Sequence, residues 1–220
     1  MPAIFTDRRG GSSLAPYESF NLALHVGDDP VRVLDNRASL SKLSPPVVFM
    51  NQLHGDLITV VNDQRDGAPT CDALVTNTPG LAVAVLVADC IPLLLSSSTV
   101  VAAVHVGRKG LVNSIALKAV EQMRRLGASS IHAQLGPSIC GACYEIPEAM
   151  ADEVVRTHPN AFALTRLGTP ALDLPKALIA DLVSQGITYE ASAICTLEDN
   201  NYFSFRRHNI TGRSAGVIWL

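Results

Sequence analysis

The chain of 220 residues is 48% hydrophobic and carries a net charge of −3 with a pI near 6.0. That length and apolar content suit one sizeable core, so a single domain over residues 1–220 is expected. With no basic tail and no Lys/Arg block, the balance of charge argues against nucleic acid or an anionic membrane as partner and leaves a small molecule.

The stretch from Met1 to Arg9 lacks the apolar run of a signal peptide. The greasy segment 81–95 is interrupted by Asp89 and Cys90 and is too short to span a bilayer. A cytoplasmic protein is therefore expected, with its five cysteines as thiols rather than disulfides. Residues 5–24 are turn-rich, with Gly10, Gly11, Ser12, Ser13 and Pro16 ahead of Asn21, and read as a long ordered loop or hairpin. Runs rich in β-branched residues predict strands at 47–50, 57–61, 81–87, 100–106, 131–135 and 215–220. A helix is expected over 111–126, where Leu111, Val112, Ile115, Ala119, Val120, Met123 and Leu126 form one stripe and Gly127 is the stop. Two more, at 147–157 and 175–185, each open with a proline near the first turn. The irregular alternation predicts an α+β fold, a layered α/β sandwich of mixed central sheets flanked by helices.

Three phrases each place one metal-capable donor at the edge of an apolar stretch: Asn51-Gln52-Leu53-His54-Gly55, Ala88-Asp89-Cys90-Ile91-Pro92 and Ala103-Val104-His105-Val106-Gly107. All three donors fall at predicted strand ends, where sheets commonly hold catalytic groups. Two histidines and a cysteine bind Zn²⁺ through three ligands and leave a fourth position open, the catalytic rather than the structural pattern. Taken singly, a cysteine among Val, Leu and Ile is more often a small core residue, and an isolated histidine a structural one. Only convergence of His54, Cys90 and His105 makes an enzyme of the chain.

Behind His105 runs Gly107-Arg108-Lys109-Gly110, a strand-to-helix loop with two cations that either aims N–H groups and positive charge at phosphate or carboxylate, or is simply solvated. Its spacing is not that of a Walker A loop. Asp89 is a candidate acid or base beside the metal, or a turn-capping residue. The amides of Asn21 and Gln52 are candidates for reading a purine edge or a ribose hydroxyl. Cys140-Gly141-Ala142-Cys143 has CxxC spacing but no second pair near it in sequence, and reads as a structural turn. His25, His132 and His158 have no partner phrase, and Arg206, Arg207 and His208 form a basic cluster that either lines a pocket or is solvated.

Taken in order, Phe5-Thr6-Asp7-Arg8-Arg9-Gly10-Gly11-Ser12, Ser19-Phe20-Asn21-Leu22, Gln52-Leu53-His54-Gly55, Asp72-Ala73-Leu74-Val75-Thr76, Ala88-Asp89-Cys90 and His105-Val106-Gly107 form an ordered series. It continues through Leu135-Gly136-Pro137-Ser138-Ile139, Cys143-Tyr144-Glu145-Ile146 and Phe203-Ser204-Phe205-Arg206-Arg207. The series resembles the bacterial purine nucleoside phosphorylase family formerly described as polyphenol oxidases or laccases, over nearly the whole chain. The resemblance implies a fold similar to the catalytic domain of cytotoxic necrotizing factor and a zinc site on His54, Cys90 and His105. It also implies phosphorolysis of adenosine, inosine, guanosine and methylthioadenosine, with adenosine deamination, so that nucleoside and phosphate are the expected partners and Zn²⁺ the expected cofactor. Family members usually read His-Ala-Gly-Trp-Arg-Gly where this chain has His105-Val106-Gly107-Arg108-Lys109-Gly110. Lysine keeps the charge but loses the planar fork that grips phosphate bidentately, so Arg108, Lys109, Arg8 and Arg206 are all candidates for the anion.

Three other activities fit some of these residues. Cys90 and His105 suit a metal-independent hydrolase or deamidase with Cys90 as nucleophile. The His₂Cys set is also a copper environment, but a multicopper polyphenol oxidase needs many more histidines than the six present. Family members are also linked to editing of peptidoglycan precursors, on which the sequence is silent.

Overall fold

The computed structural model describes residues 1–220, the side chain of Asp66 excepted. In chain order it contains β1 (Ala3–Phe5), α1 (Pro30–Leu40), β2 (Val47–Val48), β3 (Ile58–Val60), β4 (Ala73–Thr76), β5 (Ala82–Val87), β6 (Ile91–Ser96) and β7 (Val101–Val106). There follow α2 (Arg108–Val112), α3 (Ile115–Arg125), β8 (His132–Leu135), α4 (Glu148–Thr157), β9 (Phe162–Leu164) and β10 (Pro170–Leu172). The chain ends with α5 (Leu174–Ser184), β11 (Thr188–Ala191), α6 (Phe205–His208) and β12 (Ser214–Trp219). Two mixed sheets dominate, one ordered β1-β12-β5-β2 and the other β11-β8-β6-β7-β4-β3, with β9 and β10 as a separate ribbon. This is the mixed α+β layering expected from the sequence.

Side-chain alternation along the strands sorts the core into layers. Ala102, Val104 and Val106 of β7, with Leu93 and Leu95 of β6, pack against Ile115, Ala119, Val120 and Met123 of α3 and Leu178 and Leu182 of α5. The opposite parity, Val101, Ala103 and Leu94, meets Val83, Val85, Val87 and Ile218 of the smaller sheet. That sheet's outer face, Ala82, Ala84, Leu86, Ala215 and Val217, is covered by Leu22, Ala23 and Leu40. His105 shares the parity of Val101 and Ala103, so β7 delivers its imidazole to the seam between the sheets and away from the helices.

Several elements differ from the sequence expectation. The strand β6 was hidden by Pro92 and by the Asp89-Cys90 interruption before it. Proline is tolerated at the second residue of β6, opposite His105, and its carbonyl still accepts from Gly136 N at 3.0 Å. The single helix expected over 111–126 is two, because Ser114 takes a left-handed φ of 57°. The apolar stripe survives the break, since Leu111 and Ile115 both face the core. Helix α1 was not expected, although Asp29 caps Val31 N at 2.9 Å and Pro30 opens its first turn. Its buried Asn36 donates to Ser13 Oγ (3.0 Å), Ser19 O (3.1 Å) and Asn21 O (2.8 Å), which fixes the turn-rich 5–24 segment as an ordered loop. Among the described residues, no helix is long and apolar enough to cross a membrane.

Candidate active site

The metal-capable atoms of His54, Cys90 and His105 lie within 4.8 Å of one another. They arrive from the loop between β2 and β3, the turn between β5 and β6, and β7. Asp72, just before β4 and 1% exposed, organises both histidines. Its carboxylate accepts the backbone N–H groups of Leu53 (3.2 Å), His54 (2.9 Å) and Gly55 (2.7 Å), wrapping that loop around it with His54 at a φ of 59°. Oδ1 of Asp72 also meets His105 Nδ1 at 2.8 Å. With Nδ1–H donated to a carboxylate, the lone pair on Nε2 is left for the cluster. The two imidazoles stand edge to face, their centroids 4.6 Å apart.

Cys90 is aimed by its neighbour. Asp89, at a φ of 91°, accepts from Thr196 Oγ1 and from Arg206 N, each at 2.7 Å, and its carbonyl accepts from Ile139 N at 2.9 Å. Both carboxylate oxygens are thus engaged in holding the turn. Gly107 closes the far side, since a Cβ added there would lie 3.0 Å from Cys90 Sγ and 3.6 Å from His54 Cδ2. Gly107→Ala is expected to displace the thiolate by a few tenths of an ångström and to lower the affinity of this donor set for added Zn²⁺ about tenfold, read by competition with a chromogenic chelator. Unchanged affinity would mean that the sulfur has room to retreat.

Burial pushes the Cys90 thiol up, but the neighbouring His105 and His54 outweigh it and bring it down to about 6. For His105, burial pulls the imidazole down, and Cys90 with Asp72 outweighs it, raising it to about 9. Burial raises the Asp72 carboxyl, yet His105 and the N–H groups of Gly55 and Leu53 hold it below its ordinary value. On their own, these side chains form a thiolate beside an imidazolium backed by a carboxylate. A thiolate so placed is both a metal ligand and a nucleophile. One thiolate, two imidazoles in a small volume and a carboxylate behind one of them also make a donor set that fits zinc.

The cluster forms part of the wall of a cavity of about 360 Å³, which Tyr144, Phe205, Arg206 and Arg213 also line. The Arg206 guanidinium lies 5.2 Å from the Tyr144 ring centre and that of Arg213 lies 5.8 Å from Phe205. Among the described residues, neither arginine is ion-paired to a carboxylate. The cavity therefore presents two guanidiniums, each donating to backbone carbonyls, beside aromatic surface and in the same lining as Asp89 and Cys90.

The family model described as multi-copper polyphenol oxidoreductase laccase matches residues 2–220. The chain belongs to this family. A purine nucleoside phosphorylase of Corynebacterium glutamicum is 48% identical to it over 229 residues, covering 99% of this chain and 93% of that protein. Another from Streptomyces griseus is also 48% identical, covering 98% and 93%. Among solved structures, a Neisseria meningitidis protein of the DUF152 family aligns with a TM-score of 0.89 at 34% identity, covering 99% of this chain and 93% of that one. The YfiH protein of Bacillus licheniformis gives 0.90 at 31% identity, covering 99% and 92%. The names of these relatives bear out the resemblance read from the ordered phrases.

In this family member the other sequence candidates fall into two groups. Gln52 and Arg206 line the cavity with Asp89. Gln52 clamps β5 through both ends of its amide, with Nε2 on Leu86 O and Leu86 N on Oε1, each at 2.8 Å. Asn21 is fully buried outside the cavity lining, where it holds Asp28 and accepts from Arg213 N at 2.9 Å. Arg8 donates to Glu18 O at 2.7 Å, lies over Phe203 and lines a separate surface groove with Arg9 and Asn200. Arg108 is half-buried and Lys109 exposed, and neither lines the cavity. Asp72, Tyr144, Phe205 and Arg213 were not among the sequence candidates, and His25 was one without a partner phrase. Asp72, Tyr144 and Phe205 lay inside the ordered phrases, which was a usable signal. For His25 and Arg213 no spacing pointed to the site.

Proposed function

We propose that the protein is a zinc-dependent purine nucleoside phosphorylase that cleaves adenosine, inosine, guanosine and methylthioadenosine with phosphate and also deaminates adenosine. The observation that carries this reading is the meeting of His54, Cys90 and His105 in one cavity wall with the two arginines Arg206 and Arg213 and two aromatic rings. The names of the relatives support it, and the cavity falls in the size range of about 300–1,000 Å³ that takes small ligands.

His54, Cys90 and His105 would hold the metal, with Asp72 fixing the tautomer of His105. When bound, zinc supplies Lewis-acid stabilisation of developing negative charge. The rings of Tyr144 and Phe205 pack the purine. The guanidiniums of Arg206 and Arg213 hold phosphate against C1′ of the ribose, so that a phosphate oxygen bonds to C1′ as the bond to the purine nitrogen breaks. The bonding pair leaves with the purine, which takes up the proton that the dihydrogen phosphate gives up as it bonds to C1′.

Inosine incubated with the purified protein is expected to give hypoxanthine and ribose 1-phosphate only when phosphate is present, with activity lost to chelation and restored by zinc. Base release that ignores phosphate would overturn the reading. Arg206→Ala is expected to raise the KM for phosphate about 10- to 100-fold at unchanged metal content, the loss of one charged hydrogen-bond donor. Lys109→Ala, removing an exposed charge outside the cavity, is expected to change it less than about twofold. Steady-state kinetics at varied phosphate separates the two.

The copper chemistry in the family's description calls for histidine-rich sites. Among the described residues, the two clusters able to hold a metal contain two histidines between them. One observation favours a second reading, a metal-independent hydrolase or deamidase. The Cys90 thiol, brought down to about 6 beside His105 and Asp72, has the order of a nucleophile, base and orienting carboxylate. Such an enzyme keeps its activity after chelation and loses it to thiol alkylation.

A further inference from the structure

The CxxC phrase that stands alone in the sequence acquires a partner in the fold. The ligand-capable atoms of Cys140, Cys143, Cys195 and Glu198 lie within 4.8 Å of one another, outside the cavity lining. The two halves are turns of the same build. Cys140 O accepts from Cys143 N and Tyr144 N, both at 3.0 Å, while Cys195 O accepts from Glu198 N at 3.1 Å and Asp199 N at 2.9 Å. A C-x₂-C turn therefore faces a C-x₂-E turn.

Strand-like pairing holds them together. Ser138 bridges to Cys195, with Ser138 N on Ile194 O at 3.4 Å and Thr196 N on Ser138 O at 3.1 Å. Cys140 N donates to Cys195 Sγ at 3.4 Å, and Cys143 Sγ lies 3.4 Å from Glu198 Oε1. All these cysteines are free thiols. Paired x₂ turns are the usual scaffold of a structural zinc, and a carboxylate oxygen is a zinc ligand as thiolate and imidazole are, here in the place a fourth Cys or His commonly takes. Three thiolates and a carboxylate exceed the charge of a divalent cation, and Arg166, paired with Glu198, offsets part of that excess.

We propose that Cys140, Cys143, Cys195 and Glu198 bind a second zinc ion in a closed, four-ligand structural site, separate from the one formed by His54, Cys90 and His105. The site staples the segments 138–145 and 194–199, and both lead to the cavity wall. Tyr144 lines the cavity, Glu145 O accepts from Arg206 Nη1 at 2.9 Å, and Thr196 holds Asp89 at 2.7 Å. The ion thus braces the residues that aim Cys90 and Arg206 while touching neither.

Elemental analysis of Cys90→Ala, which removes the cavity site, is expected to find about one zinc per chain, against about two in the parent and almost none in Cys90→Ala/Cys143→Ser. Cobalt substitution into Cys90→Ala is expected to give an intense near-ultraviolet thiolate-to-cobalt band, a signature only the three-cysteine site can supply in that variant. If the double variant does not fold, Cys90→Ala alone decides. Less than about a tenth of an equivalent of zinc in it, no cobalt band on reconstitution, and native thiols at Cys140 and Cys143 that react freely or are found joined as a disulfide would overturn the site. Neither readout uses activity, so the result stands apart from the proposed phosphorolysis.

Discussion

Cys90→Ala is expected to fold, to lose the cavity zinc, and to phosphorolyse inosine at least about 10³-fold more slowly than the parent. The fold survives because the turn carrying Cys90 is held by its neighbours: the Asp89 carboxylate by Thr196 and Arg206, and the Asp89 carbonyl by Ile139. Alanine removes one sulfur from a half-buried position, and His105, which loses that partner, keeps its bond to Asp72. The metal does not survive, because two imidazoles alone remain and that of His54 is on an exposed loop residue. His105 stays bonded to Asp72 but is no longer raised by the neighbouring thiolate. Zinc content and initial rates with and without phosphate check this, and wild-type rates in metal-depleted Cys90→Ala would remove Cys90 from the chemistry altogether. Loss of activity is also what a nucleophilic Cys90 predicts. The two readings part on the parent, where chelation silences only the zinc enzyme.

The donors of this site were legible in the sequence because their chemistry is rare: His54, Cys90 and His105 each stand at the edge of an apolar stretch. What arranges them was not, because it is made of common residues acting over long sequence distances. Asp72 reads as one more acidic residue before a strand, and its role appears only when the loop of Leu53, His54 and Gly55 folds back onto its carboxylate. The cationic candidates divide for a similar reason. Sequence proximity to His105 favoured Arg108 and Lys109, which do not line the cavity, whereas Arg206, also a candidate, does, together with Arg213 from the same C-terminal stretch. The second donor cluster was invisible for the same cause, since Cys143 and Glu198 are 55 residues apart in the chain. Of the fold, six strands and the α+β layering followed from β-branched runs and the irregular alternation of elements, whereas β1, β4, β6, β9, β10 and β11 did not. Helix α1 did not, because its buried face includes the polar Asn36, whose burial makes sense only once Ser13, Ser19 and Asn21 are seen to receive its bonds.

Asp72→Asn is expected to weaken zinc binding about 10- to 100-fold and to cost about 3 kcal/mol of stability, a larger structural loss than Cys90→Ala. The carboxylate accepts from three backbone N–H groups and faces His105 Nδ1 with one of the same oxygens. An asparagine of the same shape offers one accepting oxygen and an NH₂ group, so whichever way the amide turns, a donor meets a donor in a site that is 1% exposed. If the oxygen faces His105 it keeps His54 N as well, but Leu53 N and Gly55 N meet the NH₂ group and lose their acceptor, which loosens the loop that carries His54. If it faces the loop, His105 loses the acceptor that fixes its tautomer. Either orientation damages one histidine, which is why a single atom change is expected to cost both metal affinity and stability. For a chain of this size, 3 kcal/mol corresponds to a Tm lowered by about 6–12 °C. Since the Asp72 carboxyl is held below its ordinary value, its contribution is complete above the unfolded carboxylate range near pH 4 and is lost as the pH falls through the lowered folded value. The gap in stability between parent and variant is therefore expected to persist through neutral pH and to close only in acid. Zinc competition titrations and thermal melts at pH 7 and below pH 4 test both parts, and zinc affinity within about twofold of the parent would remove Asp72 from its place behind the metal ligands.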